Sequence, residues 1–253
     1  MAKKVAVVNQ KGGVGKSTTA VNLGASLAEM NKKVLLIDID PQGNATSGVG
    51  IEKTGIDTSI YDILIEETPL EEGIMSTDID KFYILPANID LAGAEIELVS
   101  MISRESRLKN ALKKRKEKYD YILFDCPPSL GLLTLNALTA SDKILVPIQC
   151  EYYALEGLGQ LIKTINLVKK SLNSDLEIEG VVLTMYDART NLSQQVIEEV
   201  KEYFGDKVYN TVIPRNVRLS EAPSFGQPIN VYDSNSRGAK AYRKLAKEVN
   251  DNV

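Results

Sequence analysis

A chain of 253 residues, 43% hydrophobic and 25% charged, is long enough to bury a sizeable core, and it holds no apolar run long enough to span a bilayer. It contains no histidine, and its two cysteines, Cys126 and Cys150, form no C-x-x-C pair. This excludes Ser-His and Cys-His nucleophiles, histidine-based zinc sites and a disulfide framework, and leaves carboxylates, lysine, backbone amides and a hard metal ion for any catalysis.

The N-terminal MAKKVAVVNQKGG has an apolar stretch too short for a signal peptide, so a cytoplasmic location is expected. Lys4–Asn9 reads as a buried strand and runs directly into NQKGGVGKSTTA, residues 9 to 20. Aligned on Gly15, Lys16 and Ser17, the pattern G-x-x-x-x-G-K-[ST] wants a glycine where this chain has Gln10, and the chain adds a second lysine, Lys11. Gly12, Gly13 and Gly15 can take backbone conformations that turn their N–H groups around an anion, with Val14 between them. A helix predicted over Lys16–Met30 points its positive end at the same place. Lys16 then faces the β/γ phosphates and the Ser17 hydroxyl faces Mg²⁺, with Thr18 following. A tight turn would need only one glycine, so three before Lys-Ser-Thr point to nucleotide binding.

Val34–Asp38 is the second predicted strand and closes into DIDPQGNATSG. Asp38 and Asp40 share a face while the strand lasts. Without histidine, orienting an attacking water falls to a carboxylate. Asp40, beyond the strand core, is the candidate for that role, and Asp38 is expected to support the Mg²⁺ shell or the loop. Two solvated carboxylates are the plain alternative.

Phe82–Leu85 forms a third strand, followed by helices over Leu91–Met101 and Arg104–Lys118. The strand Tyr121–Asp125 ends in Asp125, where a Walker-B carboxylate would hold Mg²⁺, and Pro127 and Pro128 fix the exit. Strands at Ile144–Ile148, Ile178–Met185 and Val208–Ile213 alternate with helices at Leu155–Ser171, Leu192–Phe204 and Arg237–Val249. The alternation predicts one α/β domain over residues 1–253, a mostly parallel twisted sheet with helices on both faces. NQKGGVGKST, DIDPQGNATSG, DCPPSLG and IPRNVRLSEAPSFG each follow a strand, which puts all four on the carboxyl rim where such sheets bind ligands.

Charge is unevenly placed on this chain of net −4. Between Ile213 and Lys247, Arg215, Arg218, Arg237, Lys240, Arg243, Lys244 and Lys247 face only Glu221 and Asp233, a local +5. This is either an electrostatic footprint or a solvated helix face.

Lys11-Gly-Gly-Val-Gly-Lys16-Ser17-Thr18, Asp38-Ile-Asp40-Pro-Gln-Gly43-Asn and Asp125-Cys-Pro-Pro-Ser resemble the deviant Walker ATPases among P-loop NTPases. Within them, DPQGNATSG, LAGAEIEL (91–98), DCPPSLGLLTLNAL, QCEYYALEGL (149–158) and IPRNVRLSEAPS (213–224) resemble ParA/Soj chromosome- or plasmid-partitioning proteins. That resemblance implies an ATP- and Mg²⁺-dependent switch. Lys11 would reach the nucleotide of a second copy, closing a homodimer around two ATP molecules, with the partner backbone passing Gly12. Lys16 and Asp40 would serve slow hydrolysis, Ser17, Asp125 and Asp38 the metal, and Pro214 and Asn216 the adenine. The dimer would bind double-stranded DNA without sequence preference, through Arg189, Arg215, Arg218, Lys240, Lys244 and Lys247, and so associate with the nucleoid. A ParB-type partner would stimulate release.

Three rival functions meet obstacles in the sequence. A MinD-like membrane ATPase needs a terminal amphipathic anchor, but Tyr242, Leu245, Ala246 and Val249 make a thin stripe better read as core. An iron–sulfur ATPase needs thiolates placed unlike Cys126 and Cys150. A scaffold without turnover is at odds with the retained Lys16, Ser17, Asp40 and Asp125.

Overall fold

The computed structural model describes residues 2–251 apart from Tyr153 and Glu156, two positions of the QCEYYALEGL segment that lie outside the described residues. Among the described residues, eight strands form one sheet: β1 (Lys3–Val7), β2 (Val34–Asp38), β3 (Met75–Ser76), β4 (Phe82–Leu85), β5 (Tyr121–Asp125), β6 (Lys143–Gln149), β7 (Glu177–Tyr186) and β8 (Val208–Pro214). Their spatial order is β3-β4-β2-β5-β1-β6-β7-β8, and every pairing is parallel except β3 with β4.

The strand sequences explain that placement. In β1, Ala6 faces one core while Val5 and Val7 face the other, and β2 divides Leu35 and Ile37 from Val34 and Leu36 in the same way. Strands buried on both sides must be apolar at successive positions, which is why these segments read as continuous Val/Ile/Leu runs.

Among the described residues, twelve helices cover the two faces: α1 (Lys16–Glu29), α2 (Asn44–Gly48), α3 (Ile60–Ile65), α4 (Leu70–Gly73), α5 (Leu91–Glu97), α6 (Arg107–Lys114), α7 (Leu132–Ala140), α8 (Leu158–Ser171), α9 (Asn191–Phe204), α10 (Val217–Glu221), α11 (Ile229–Tyr232) and α12 (Arg237–Asp251). One core takes side chains from α1, α2, α10, α11 and α12, and the other from α3 through α9. Among the described residues no helix is long and apolar enough to cross a membrane. The stripe Tyr242, Leu245, Ala246 and Val249 is buried, with α12 packed on α1 and β8. The Tyr242 hydroxyl lies 3.2 Å from the Thr19 hydroxyl of α1.

Several helix expectations change, among them three of the longer ones. The helix over Leu91–Met101 ends at Glu97 and tightens into a 3-10 turn, Leu98–Ser100. The helix over Arg104–Lys118 spans only Arg107–Lys114, because Arg115 is extended with ψ of 142°. The segment Leu132–Ala140, for which no helix is predicted, is helical.

Candidate functional site

The loop between β1 and α1 is held from three directions. Asn9 accepts the Lys11 N–H at 3.0 Å through Oδ1 and donates from Nδ2 to the Pro147 carbonyl at 2.7 Å. The Thr184 hydroxyl of β7 donates to the Val14 carbonyl at 2.8 Å. Gln10, at the position where the pattern asks for glycine, lies against Gly157 instead.

Gly13 and Gly15 have φ of +73° and +89°, a left-handed conformation that only glycine adopts cheaply. Gly12 differs. Its φ lies outside that region, and a Cβ placed on it would meet nothing within 4 Å. Nothing in its own chain calls for glycine there.

Lys16 is 7% exposed, and its Nζ donates to the Lys11 carbonyl at 3.0 Å. Burial pushes its pKa down, while Asp125 and Asp40 pull it back up. The lysine is therefore a desolvated cation resting on the loop's own carbonyl.

Asp38 and Asp125 are register partners on neighbouring strands, and both are fully buried. Their surroundings set them apart. Asp38 accepts the N–H and hydroxyl of Thr46, both at 2.8 Å, through Oδ2, and the Asp40 N–H at 3.2 Å through Oδ1. Burial still pushes its carboxyl up to about 6 against those hydrogen bonds. These contacts belong to a residue that ties down the β2–α2 loop. Asp125, by contrast, has only the Ser17 hydroxyl beside it, and neither oxygen makes a well-formed hydrogen bond among the described residues. Burial, and then Asp38, raise its pKa well above the carboxylate range, although Ser17 and Lys16 beside it favour the ionised form.

Such an orphaned carboxylate next to a hydroxyl fits a hard cation. Mg²⁺ takes one or two protein groups and fills its octahedron with phosphate oxygens and water. No group of three or more His, Cys, Asp or Glu side chains suited to a metal occurs among the described residues. Both cysteines are buried; burial raises the Cys126 thiol well above its ordinary value and takes Cys150 to about 11. Neither is a ready thiolate ligand.

Above this floor opens a cleft of about 400 Å³. Gly12, Gly13, Gly15, Lys16, Ser17 and Thr18 form one end, and Asp40, Gln42, Asn44, Ser47 and Gly48 form a second wall. Pro128 follows β5, Met185 is the next-to-last residue of β7, and Ala222, Pro223 and Gln227 close the far side. The four segments expected on one rim do converge here. Asp40 is 6% exposed, with Oδ1 accepting the Gln42 N–H at 2.9 Å.

Pro214 and Asn216 do not line this cleft. Asn216 caps α10 by accepting the Arg218 N–H at 2.9 Å, and Pro214 ends β8 beside Lys240 and Lys244. The far side of the cleft is formed by Ala222, Pro223 and Gln227, later in the same segment. Met185 is a site residue that no motif marks, and so are Val21 and Asn22 of α1. Met185 has φ of +53°, rare for a non-glycine residue, which turns the end of β7 at the cleft.

The six expected DNA contacts form two groups. Arg189 pairs with Asp187 at 2.7 Å, Arg215 with Glu151 at 3.3 Å, and Arg218 with Glu221 at 3.0 Å and Asp233 at 3.6 Å. All three are exposed loop or helix-end residues near the rim. Lys240, Lys244 and Lys247 are exposed on one side of α12, and the first two join Arg237 along a groove beside β8.

The chain's likeness to known proteins agrees with this geometry. Residues 2–178 match the AAA domain family. The chain is 66% identical over 249 residues to the sporulation initiation inhibitor protein Soj of Bacillus subtilis, covering 98% of both. It is 54% identical to the chromosome partitioning protein ParA of Myxococcus xanthus, over 97% of this chain and 87% of that one. Among solved structures, cobyrinic acid a,c-diamide synthase from Mycobacterium smegmatis with bound ATP analog and magnesium superposes with a TM-score of 0.87. That pair is 39% identical over 98% of this chain and 94% of the other.

Proposed function

Because the chain belongs to the Soj/ParA family of chromosome-partitioning ATPases, we propose that it is an ATP-driven dimerisation switch for DNA partitioning. Monomers bind Mg·ATP, close face to face, hold DNA without reading its sequence, and let go after hydrolysis. The observation that carries the nucleotide half is the unsatisfied, buried Asp125 carboxylate beside Ser17 and Lys16, under a loop built on left-handed glycines. A buried polar group left without a partner is costly, and a ligand that satisfies it recovers the loss.

Ser17 and Asp125 would hold Mg²⁺, which when bound neutralises phosphate charge. Lys16 would leave the Lys11 carbonyl and turn to the β/γ phosphates. Asp40, anchored through Oδ1 by the Gln42 N–H, keeps Oδ2 to accept a hydrogen bond from the attacking water and orient it. Adenine would sit toward Ala222 and Pro223 rather than Pro214 and Asn216.

Two features support closure of a dimer. Gly12 is a glycine that its own chain does not need, as expected where another backbone must pass. Lys11 sits beside it, a second cation free to complement a triphosphate in trans, which couples dimer formation to the γ-phosphate. The rim arginines and the α12 lysines would supply phosphate contacts, and a ParB-type partner would supply the stabilisation that slow basal turnover lacks. A MinD-like membrane role is less favoured, because the apolar stripe of α12 is buried in the core.

The decisive experiment is size exclusion of Asp40→Ala with and without ATP, assaying DNA retention on the same fractions. A dimer that appears only with ATP and retains DNA is expected. A monomer that ignores DNA with ATP present would sink the switch.

A further inference from the structure

The residues from Arg104 to Lys118 carry eight cations against Glu105 and Glu117, a local +6 on a chain of net −4. This is a denser positive zone than the one near the C-terminus, and the nucleotide cleft uses none of it. It borders a groove of about 930 Å³ between the α3–α4 connection and α6, which shares no residue with the cleft. The groove has two chemistries. Half-buried Met101 and Ala111 give it an apolar lining over the buried Ile63 and Leu70, and Ile102 stands at its mouth with 90% of its surface exposed. Lys113, Lys114 and Lys116 give it a cationic border.

Glu67 and Glu71 also line the groove, but both are engaged. Glu67 pairs with Arg107 at 3.2 Å, and Glu71 accepts the Lys116 N–H at 2.6 Å. Among the described residues, Lys113, Lys114 and Lys116 form no salt bridge. An exposed isoleucine beside an apolar trough, ringed by unpaired cations, is the pattern of an interaction surface.

We propose that this groove docks an acidic, amphipathic segment of a partner protein. Its apolar side chains would enter the trough and its carboxylates would meet Lys113, Lys114 and Lys116. Charge complementarity selects this occupant. A nucleic-acid duplex would satisfy the lysines but has nothing to bury against Met101, Ile102 and Ala111, and a bilayer surface cannot enter a groove. Helix-in-groove binding uses apolar anchors at three- and four-residue spacing. Because the groove lies apart from the cleft, this docking does not depend on the nucleotide reading.

The test is display selection of random peptides on the whole protein, counter-selected against the double variant Lys113→Glu, Lys114→Glu. Enriched peptides are expected to be net acidic with apolar residues at helical spacing. A synthetic copy should bind the wild type about tenfold or more tightly than the double variant, since two reversed charges replace attraction of its carboxylates with repulsion at both positions. It should also bind more weakly to Ile102→Ser. Unchanged thermal melting and ATP turnover in both variants would show that the fold is intact. No enrichment, neutral or basic consensus peptides, or binding indifferent to either variant would overturn the proposal. So would displacement of the peptide by a short DNA duplex, or wild-type self-association that the double variant abolishes.

Discussion

At Asp125 the fold keeps a carboxylate where burial works against its charge, and the consequence is a stability that depends on pH. A carboxyl whose folded pKa exceeds its unfolded value holds an extra proton in the native chain. Stability is then lost as pH rises from the unfolded value through the folded one. For Asp38 that window runs from 3.8 to about 6, and Asp125 moves in the same direction. The nucleotide-free protein should therefore melt at a higher temperature at about pH 5 than at neutral pH, as far as these two groups decide it. Asp125→Asn should raise the nucleotide-free melting temperature at neutral pH, where each kcal/mol relieved is worth about 2–4 °C for a chain of this size. It should also abolish Mg²⁺-dependent ATP retention; a variant that melts lower and still binds would contradict this account. Thr46 has the opposite character. Its hydroxyl donates to Asp38 and accepts the Ala87 N–H at 3.0 Å, so it joins the β2 loop to the end of β4. Thr46→Val leaves that buried N–H without an acceptor and should cost about 1–3 kcal/mol by chemical denaturation.

The packing of α1 on the sheet depends on a glycine in mid-helix. A Cβ on Gly24 would sit 2.6 Å from the Phe82 ring, which is itself 1% exposed and fixed in β4. Alanine in place of a helical glycine gains about 1 kcal/mol in propensity, but forcing a methyl into a closed core costs about 1–3 kcal/mol. Gly24→Ala should thus lower the melting temperature. Gly159→Ala in α8, where a Cβ would meet nothing within 4 Å, should raise it slightly; opposite signs in calorimetry are the test. How legible an element was in the sequence follows from this same packing. The doubly buried strands β1, β2, β5, β6 and β7 announced themselves as Val/Ile/Leu runs. So did the rim, because glycines, aspartates and prolines punctuate the strand ends. The helix α7 did not, since LLTLNALTA is buried on most sides and shows no polar face to set a period. The short α2, α10 and α11 lack the length for any periodicity. In the site, Lys16, Ser17, Asp40 and Asp125 could be found from motif spacing alone. Met185 and Pro223 could not, because their place on the cleft depends on how β7 turns and how the chain doubles back after α10.

Charge is the property that only the assembled molecule organises. The chain is net negative, yet Arg189, Arg215 and Arg218 lie near the rim while Lys240, Lys244 and Lys247 run along α12 beside β8. The three arginines are each paired with a carboxylate, and Arg218 also lies over the Tyr232 ring at 6.0 Å. Exposed ion pairs of this kind contribute only about 0–1 kcal/mol, so in the proposed dimer, where two protomers would bring their fields together, phosphate would displace them. The lysine stripe needs no such pairing of protomers, because α12 presents it on a single chain. If the proposed switch binds DNA, it should do so in two modes. A weak mode, independent of ATP, should rest on the α12 stripe, and a stronger ATP-dependent one should add the rim arginines. Filter retention of duplex DNA across a salt series separates them, since each phosphate contact contributes about 0.9 to the slope of log affinity against log salt. Arg218→Glu should leave the ATP-free slope alone and remove most of the increment that ATP adds. Lys244→Glu should lower retention by a similar factor with and without ATP. If Arg218→Glu weakens both states equally, the rim and the stripe are one surface on the monomer, and ATP-driven pairing is not what recruits the arginines.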